Sequence, residues 1–422
     1  MTGGVYLTDW GQRAEALLND LAACSEPGPG VTRLPFTPEH RAALDILQTA
    51  METAGLMVSL DAAGTLIGRR GGPPGSKTFL MGSHQDSVRE GGAYDGVMGV
   101  VLPILALEKL RDESADLPFA VEVLAFADEE GVRFPTALIG SRALAGTFEQ
   151  SVLDMRDGNG VTLRDAMESF GLEPSGIGAL RRDPDDIIGF LETHIEQGPF
   201  LEHEDEAIGV VTAICGIERH EIKVTGETGH AGTLPMKGRR DALVGAAALV
   251  LEVEKLGQQT ADLRATVGAL TVEPDVVNAV PRAVRMTSEF RSPGDDIRSK
   301  AGETLHDFAQ NLATRRSLTI EAKRTYVQVA QPCSENLSRR LISAAVQSGA
   351  RGLLLPSGAT HDASAMADLC PIAMQFVRCR GGVSHKPEEL ASAKDMALAT
   401  SALSRFLTSI GHDVDRDDRG SL

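Results

Sequence analysis

The chain has 422 residues, more than one core usually serves, so two domains are expected. Apolar residues make up 42% and charged residues 24%, ordinary for a soluble globular protein. The net charge of −18 argues against a nucleic-acid backbone as partner.

No basic stretch followed by an apolar run marks residues 1–25, so no signal peptide is expected. No 18-residue apolar stretch free of charge occurs either, so no membrane partner is expected. Five cysteines, none in a C-x-x-C pair, fit a reducing compartment, and the cytoplasm is the expected location.

"FTPEHRAALDILQTAMETAG" (36–55) predicts a helix. Thr37 can cap it, Pro38 suits its first position, Leu44, Leu47 and Met51 share a face, and Gly55 closes it. "GTLIGRRGGPPGSKTFLMGSH" (64–84) reads as strand, Gly/Pro turn, strand. A buried helix follows from about Val97 to Arg111, then a buried strand, "AVEVLAFA" (120–127). Strands alternating with helices predict an α/β fold with a mostly parallel mixed sheet flanked by helices.

From about Ile217 the pattern changes. "RHEIKVTGE", "RATVGALTV", "AVRMTSEFR" and "SLTIEAKRT" read as strands, with helices in 238–257 and 293–315. That β-α-β-β-α-β order is a complete split unit, after which α/β material resumes. The expected organisation is a catalytic domain in two segments, 1–216 and 329–422, interrupted by a small domain at 217–328.

The chemistry gathers where strands are expected to end. His84 closes "LMGSH"; alone it reads as a hydrogen-bonded structural residue, but Asp86 lies two residues on, placed to orient its ring. Asp95 sits in the glycine-rich "GGAYDG" before a helix, where by itself it reads as a cap. Asp128, Glu129 and Glu130 follow a buried strand directly. An acid run there is commonly a solvated loop start, yet active-site groups of parallel α/β sheets collect at strand carboxyl ends. Neighbouring acids on an extended segment point to different sides, so one can bind a metal while the next acts on water. "ETHIEQGPFLE" adds His194, and "GGVSHKPEE" adds His385. Three imidazoles and several carboxylates suit one or two divalent ions of the zinc type, although no H-E-x-x-H or cysteine cluster occurs.

The ordered set "GSHQDSV…GGAYDG", "FADEEGVRFP", "THIEQGP", "GHAGTLPM", "VVNAVP", "EFRSP" and "SGATHDA…GGVSHKPEE" resembles the hydantoinase/carbamoylase branch of the dinuclear metal amidohydrolases, within the wider aminoacylase and carboxypeptidase superfamily. The match runs from about Gly30 to about Glu389. The resemblance implies two divalent cations per subunit, zinc or manganese, with cobalt or nickel also accepted. By it, His84, Asp95 and His194 hold one metal, Asp95, Glu130 and His385 hold the other, and Asp95 bridges. It makes Glu129 the general base. Gln197, His230, Asn278, Arg291 and Gly358 match substrate-binding positions, with His230 reaching across a dimer to the oxyanion. The small domain becomes a lid and dimerisation domain.

The activity so implied is cleavage of the ureido C–N bond of an N-carbamoyl-L-amino acid or allantoate, releasing ammonia and carbon dioxide. An aminoacylase or dipeptidase acting on an N-acyl substrate is the alternative, and a non-catalytic metal-dependent binding protein the remote one. Two positions depart from the pattern: Thr360 stands where a glycine is expected, and Gln85 where many relatives carry an apolar residue.

Overall fold

The computed structural model describes residues 3–419. The chain forms two compact units. The larger holds the chain up to Thr212, Cys333–Leu355 and everything from Thr360; the smaller holds Ala213–Pro332 and Pro356–Ala359.

The larger unit is built on a mixed sheet. Its strands run in the order Met57–Leu60, Leu66–Arg70, Ala120–Phe126, Thr78–His84, Ile187–Ile195, Ile372–Val377, Ile208–Ile214. The four from 120–126 to 372–377 are mutually parallel, and the outer pairings are antiparallel. All residues of Thr78–His84, Ala120–Phe126 and Ile372–Val377 are buried. A strand covered on both faces reads as a continuous apolar run rather than an alternation, as "AVEVLAF" does. The strands at 66–70 and 78–84 are not neighbours despite the short turn between them; Ala120–Phe126 lies between.

The helix at Met98–Asp112 is buried along nearly its whole length. It packs on the Thr78–His84 and Ile187–Ile195 strands, with helices Gly3–Ala22 and Ala393–Arg419 against it. The helix Pro38–Thr53 starts as its residues dictate: Thr37 accepts from the His40 amide and Pro38 occupies the first turn. Its Leu44, Leu47 and Met51 are buried in the main core.

In the smaller unit, strands Gly216–Thr225, Leu270–Glu273, Ala283–Ser292 and Thr319–Gln328 form an antiparallel sheet, with Arg264–Thr266 paired beside Ala283–Ser292. Helices Ala242–Gln259 and Asp295–Arg316 cover one face. Ile222, Val224, Val284, Met286 and Phe290 point into this core. The intervening residues Arg219, Glu221, Arg285 and Thr287 are exposed, the period-2 signature of a sheet wet on one side. All five cysteines are free thiols, and no helix among the described residues is long and apolar enough to cross a membrane.

Candidate metal centre

Parallel neighbours bring their carboxyl ends to one edge, and here four such ends carry chemistry. His84 is the last residue of its strand, His194 the penultimate residue of the next, Glu129 and Glu130 follow Phe126, and His385 lies in the loop beyond Val377. Asp95 joins them from the turn between His84 and the buried helix. That helix begins at Met98, and the residue at its cap position is Val97, so Asp95 is not a helix cap. Nor is 128–130 a solvated loop start, because Asp128 and Glu129 are buried.

Asp95 stands at the centre. Its Oδ1 lies 3.1 Å from His194 Nε2 and 3.5 Å from His84 Nε2; its Oδ2 lies 3.4 Å from His385 Nε2. Glu130 Oε1 is 3.5 Å from the same His385 nitrogen. The ligand atoms of His84, Asp95 and His194 all fall within 4.8 Å of one another, and so do those of Asp95, Glu130 and His385 and those of His84, Glu129 and Glu130.

The rings are oriented from behind. His84 Nδ1 is 3.0 Å from the Asp86 carbonyl and His194 Nδ1 is 3.0 Å from the Ile195 carbonyl, so each Nδ1 donates there and each Nε2 is turned toward Asp95, where a cation would replace its proton. The Gly96 amide donates to His194 Nε2 at 3.2 Å. Gly96 has φ +67°, and a Cβ there would collide with the His84 ring. Asp86 does more than the sequence suggests. Its carboxylate lies 3.4 Å from His84 Nδ1 and also accepts from the Glu129 and Glu130 amides at 3.0 and 3.2 Å, fixing the acid pair.

The electrostatics are those of too many acids in too little water. Burial pushes the Glu129 carboxyl well above the usual range, with Glu130, Asp362 and Asp86 adding to it against His84. Burial likewise takes Glu130 up to about 7. Burial opposes the charge on Asp95, but His194, His385 and His84 outweigh it and hold its pKa well below the usual range. His84 is buried too, yet Asp86 and Asp95 hold its pKa well above normal. Asp128 Oδ2 and Asp362 Oδ2 are buried with no hydrogen-bond partner among the described residues. A mixed imidazole and carboxylate set with excess negative charge fits divalent cations, because positive charge among these groups relieves the penalty.

The expected substrate residues fall in both units. Gln197 donates through Nε2 to Asp95 Oδ2 at 2.8 Å and to Ser384 Oγ at 3.1 Å. Gln197 and His385 both adopt left-handed backbone, φ 57° and 58°, strain of a kind that collects at functional sites. In the smaller unit the short ladder Ala279↔His230 brings exposed His230 beside Asn278, whose carbonyl accepts from the Ala231 amide. Arg291 gives Nε to Glu289 at 2.7 Å and a terminal nitrogen to the Gly358 carbonyl at 2.8 Å, so Arg291 and Gly358 meet.

Ser384, Glu389 and His361 were missed, and Glu192 of "ETHIEQGPFLE" was noted beside His194 without a role. Ser384 donates to Asp95 Oδ2 at 2.9 Å, and Glu389 accepts from the Tyr94 and Asp95 amides. His361 packs edge-on against His194, with ring centroids 4.6 Å apart. Buried Glu192 accepts from Ser83 and from the Ala363 amide. "SGATHDA" and "GGVSHKPEE" contained the signal for His361 and Ser384, as polar residues flanking a predicted ligand or substrate contact.

Residues 80–409 match the model of peptidase family M20/M25/M40, a family of metal-dependent hydrolases. The chain is 37% identical over 379 residues to an N-carbamoyl-L-amino acid amidohydrolase from Geobacillus stearothermophilus, covering 90% of this chain and 93% of that protein. It is 36% identical to an allantoate deiminase from Arabidopsis thaliana, covering 94% and 82%. A crystal structure of a hydantoinase/carbamoylase family amidase from Burkholderia multivorans superimposes with a TM-score of 0.89 at 31% identity, covering 95% of this chain and 98% of that one. The chain belongs to peptidase family M20/M25/M40, among its hydantoinase/carbamoylase amidohydrolases.

Proposed function

We propose that the chain is a metal-dependent amidohydrolase that cleaves the ureido C–N bond of an N-carbamoyl-L-amino acid or of allantoate, releasing ammonia and carbon dioxide. One observation carries the reading. Buried Asp95 offers one oxygen to His84 and His194 and the other to His385, with Glu129 and Glu130 beside them.

His84, Asp95 and His194 would hold one divalent cation and Asp95, Glu130 and His385 a second, zinc or manganese by donor type and also cobalt or nickel. When bound, such ions supply Lewis acidity and make a water acidic near neutral pH.

Glu129 takes the proton of the attacking water as the new C–O bond forms at the ureido carbonyl carbon. Burial raises the Glu129 pKa in the metal-free protein, and cations beside it would draw that pKa back down, leaving a carboxylate able to take the proton and return it. Glu129 then delivers that proton to the nitrogen whose bond to the carbonyl carbon breaks. The released carbamate decomposes to carbon dioxide and ammonia. His230 donates to the developing oxyanion, the Arg291 guanidinium and Asn278 take the substrate carboxylate, and Gln197 and Gly358 complete its cradle. Residues 217–328 serve as lid and homodimer contact.

The test is ammonia release by zinc- or manganese-loaded protein from allantoate and from N-carbamoyl-L-methionine, with a chelator control. Ammonia from one or both, abolished by chelation, is the expected result. Free amine from an N-acyl amino acid, with no ammonia from either ureido compound, would replace this reading with the aminoacylase one.

A further inference from the structure

We infer that Glu389 is a positioning residue that locks two separately supplied metal-ligand loops into one unit, the Gly92–Asp95 turn and the His385 loop. This rests on the metal-binding part of the proposed function.

The geometry is specific. Glu389 is buried, four residues beyond His385. Its Oε1 accepts from the Tyr94 amide at 3.0 Å and the Asp95 amide at 2.9 Å. One carboxylate oxygen therefore takes both amides of the turn that carries Asp95. On its own side, the Glu389 amide donates to the Lys386 carbonyl at 3.1 Å, closing the loop that starts at His385. The seat is made for it: a Cβ on Gly92 would lie 2.2 Å from the Glu389 carboxyl carbon and Oε1.

Asp95 and His385 face each other across 3.4 Å, yet they come from segments almost three hundred residues apart. Among the described residues no strand pairing joins these two loops. The direct side-chain ties, Gln197 and Ser384 to Asp95 Oδ2, act on the very oxygen a cation would take. Glu389 works instead on the backbone and leaves both Asp95 oxygens to ligand duty. Buried groups that orient ligands in this way typically change metal affinity about 10–100-fold when removed.

The experiment is a zinc titration of metal-freed full-length protein, by calorimetry and by competition with a chromophoric chelator, alongside cobalt absorption spectra. Glu389→Gln keeps an acceptor oxygen and is expected to bind zinc within about threefold of the parent. Glu389→Ala orphans both amides and is expected to lose 10–100-fold in affinity and to weaken the cobalt spectrum. Gly92→Ala, which displaces the carboxyl without touching it chemically, is expected to copy Glu389→Ala. Melting temperatures of the metal-free variants separate this from a folding role: a purely structural Glu389 would lower melting and leave the affinity of folded protein unchanged, which overturns the inference. Equal zinc affinity in Glu389→Ala and the parent, or an equal loss in Glu389→Gln, also overturns it. A parent that binds zinc but releases no ammonia rejects the ureido activity and leaves this comparison standing.

Discussion

Replacing Glu129 by Gln separates its chemical role from its structural one. The amide keeps the shape of the side chain, and the Glu129 backbone N–H still reaches Asp86. What disappears is the ability to carry a proton. General acid–base groups contribute about 10²–10⁴-fold, so kcat should fall by that factor, about 3–5 kcal/mol of barrier. The metal-free protein should respond in the opposite sense. Burial raises the folded-state pKa of Glu129 above its unfolded value. A carboxyl shifted upward costs the fold nothing below the unfolded pKa, progressively more between the unfolded and folded values, and a constant amount above the folded one. Metal-free Glu129→Gln should therefore melt higher than the parent at neutral pH, with the gap closing as pH approaches 4. The assay is a pair of measurements: steady-state ammonia release at saturating metal, and melting of chelator-treated protein from pH 4 to 8. A variant with kcat within about threefold of the parent would refute the proton-carrier role. One that melts lower than the parent at pH 7 would refute the electrostatic argument.

Metal loading should release protons near neutral pH. Asp95 and neighbouring acids hold protons on His84, His194 and His385, and burial takes Glu130 up to about 7. Calorimetry in two buffers of different ionisation enthalpy should show buffer-dependent heats and weaker zinc binding at pH 6 than at pH 8; identical heats would contradict this. Arg291→Ala should lower kcat/KM about 10–100-fold for a carboxylate substrate, as expected for a lost charge-assisted pair, and Arg291→Lys should recover only part, since the fork is lost. A Lys variant equal to the parent would show that a point charge suffices. Away from the reacting groups, burial raises Asp61 to about 6 against 3.8, worth at most about 3 kcal/mol against the fold once ionised. Asp61→Asn should therefore stabilise at pH 8 and become neutral below pH 4 in thermal melts.

Much of the site was legible because its residues sit at strand ends. A buried strand running straight into Asp128, Glu129 and Glu130 is a local pattern, and so is His84 closing an apolar run. The order of the strands was not legible. Leu66–Arg70 and Thr78–His84 are joined by a short turn but separated by Ala120–Phe126, an outcome set by long-range pairing. Asp95 matched a helix cap because a carboxylate before a helix has that pattern whether or not its side chain turns back to the amides. Glu389 escaped notice for a related reason: its partners are backbone amides of Tyr94 and Asp95, which carry no residue-type signature. The N-terminal helix Gly3–Ala22 also went unread, although its Leu18 and Leu21 are buried in the main core.

The strand order also constrains how the chain is made. Ile372–Val377 lies between Ile187–Ile195 and Ile208–Ile214, both synthesised long before it. While the ribosome extends from Ile214 to Ile372, these strands wait with their facing edges unpaired, a liability of the kind that invites pairing with other chains. The intervening residues build a unit with its own core, so it can fold during the wait. The last strand must then enter an existing slot, carrying His385 behind it. Truncation before residue 372 would leave an open sheet as well as an incomplete metal centre, and chaperone dependence during synthesis should concentrate in this interval.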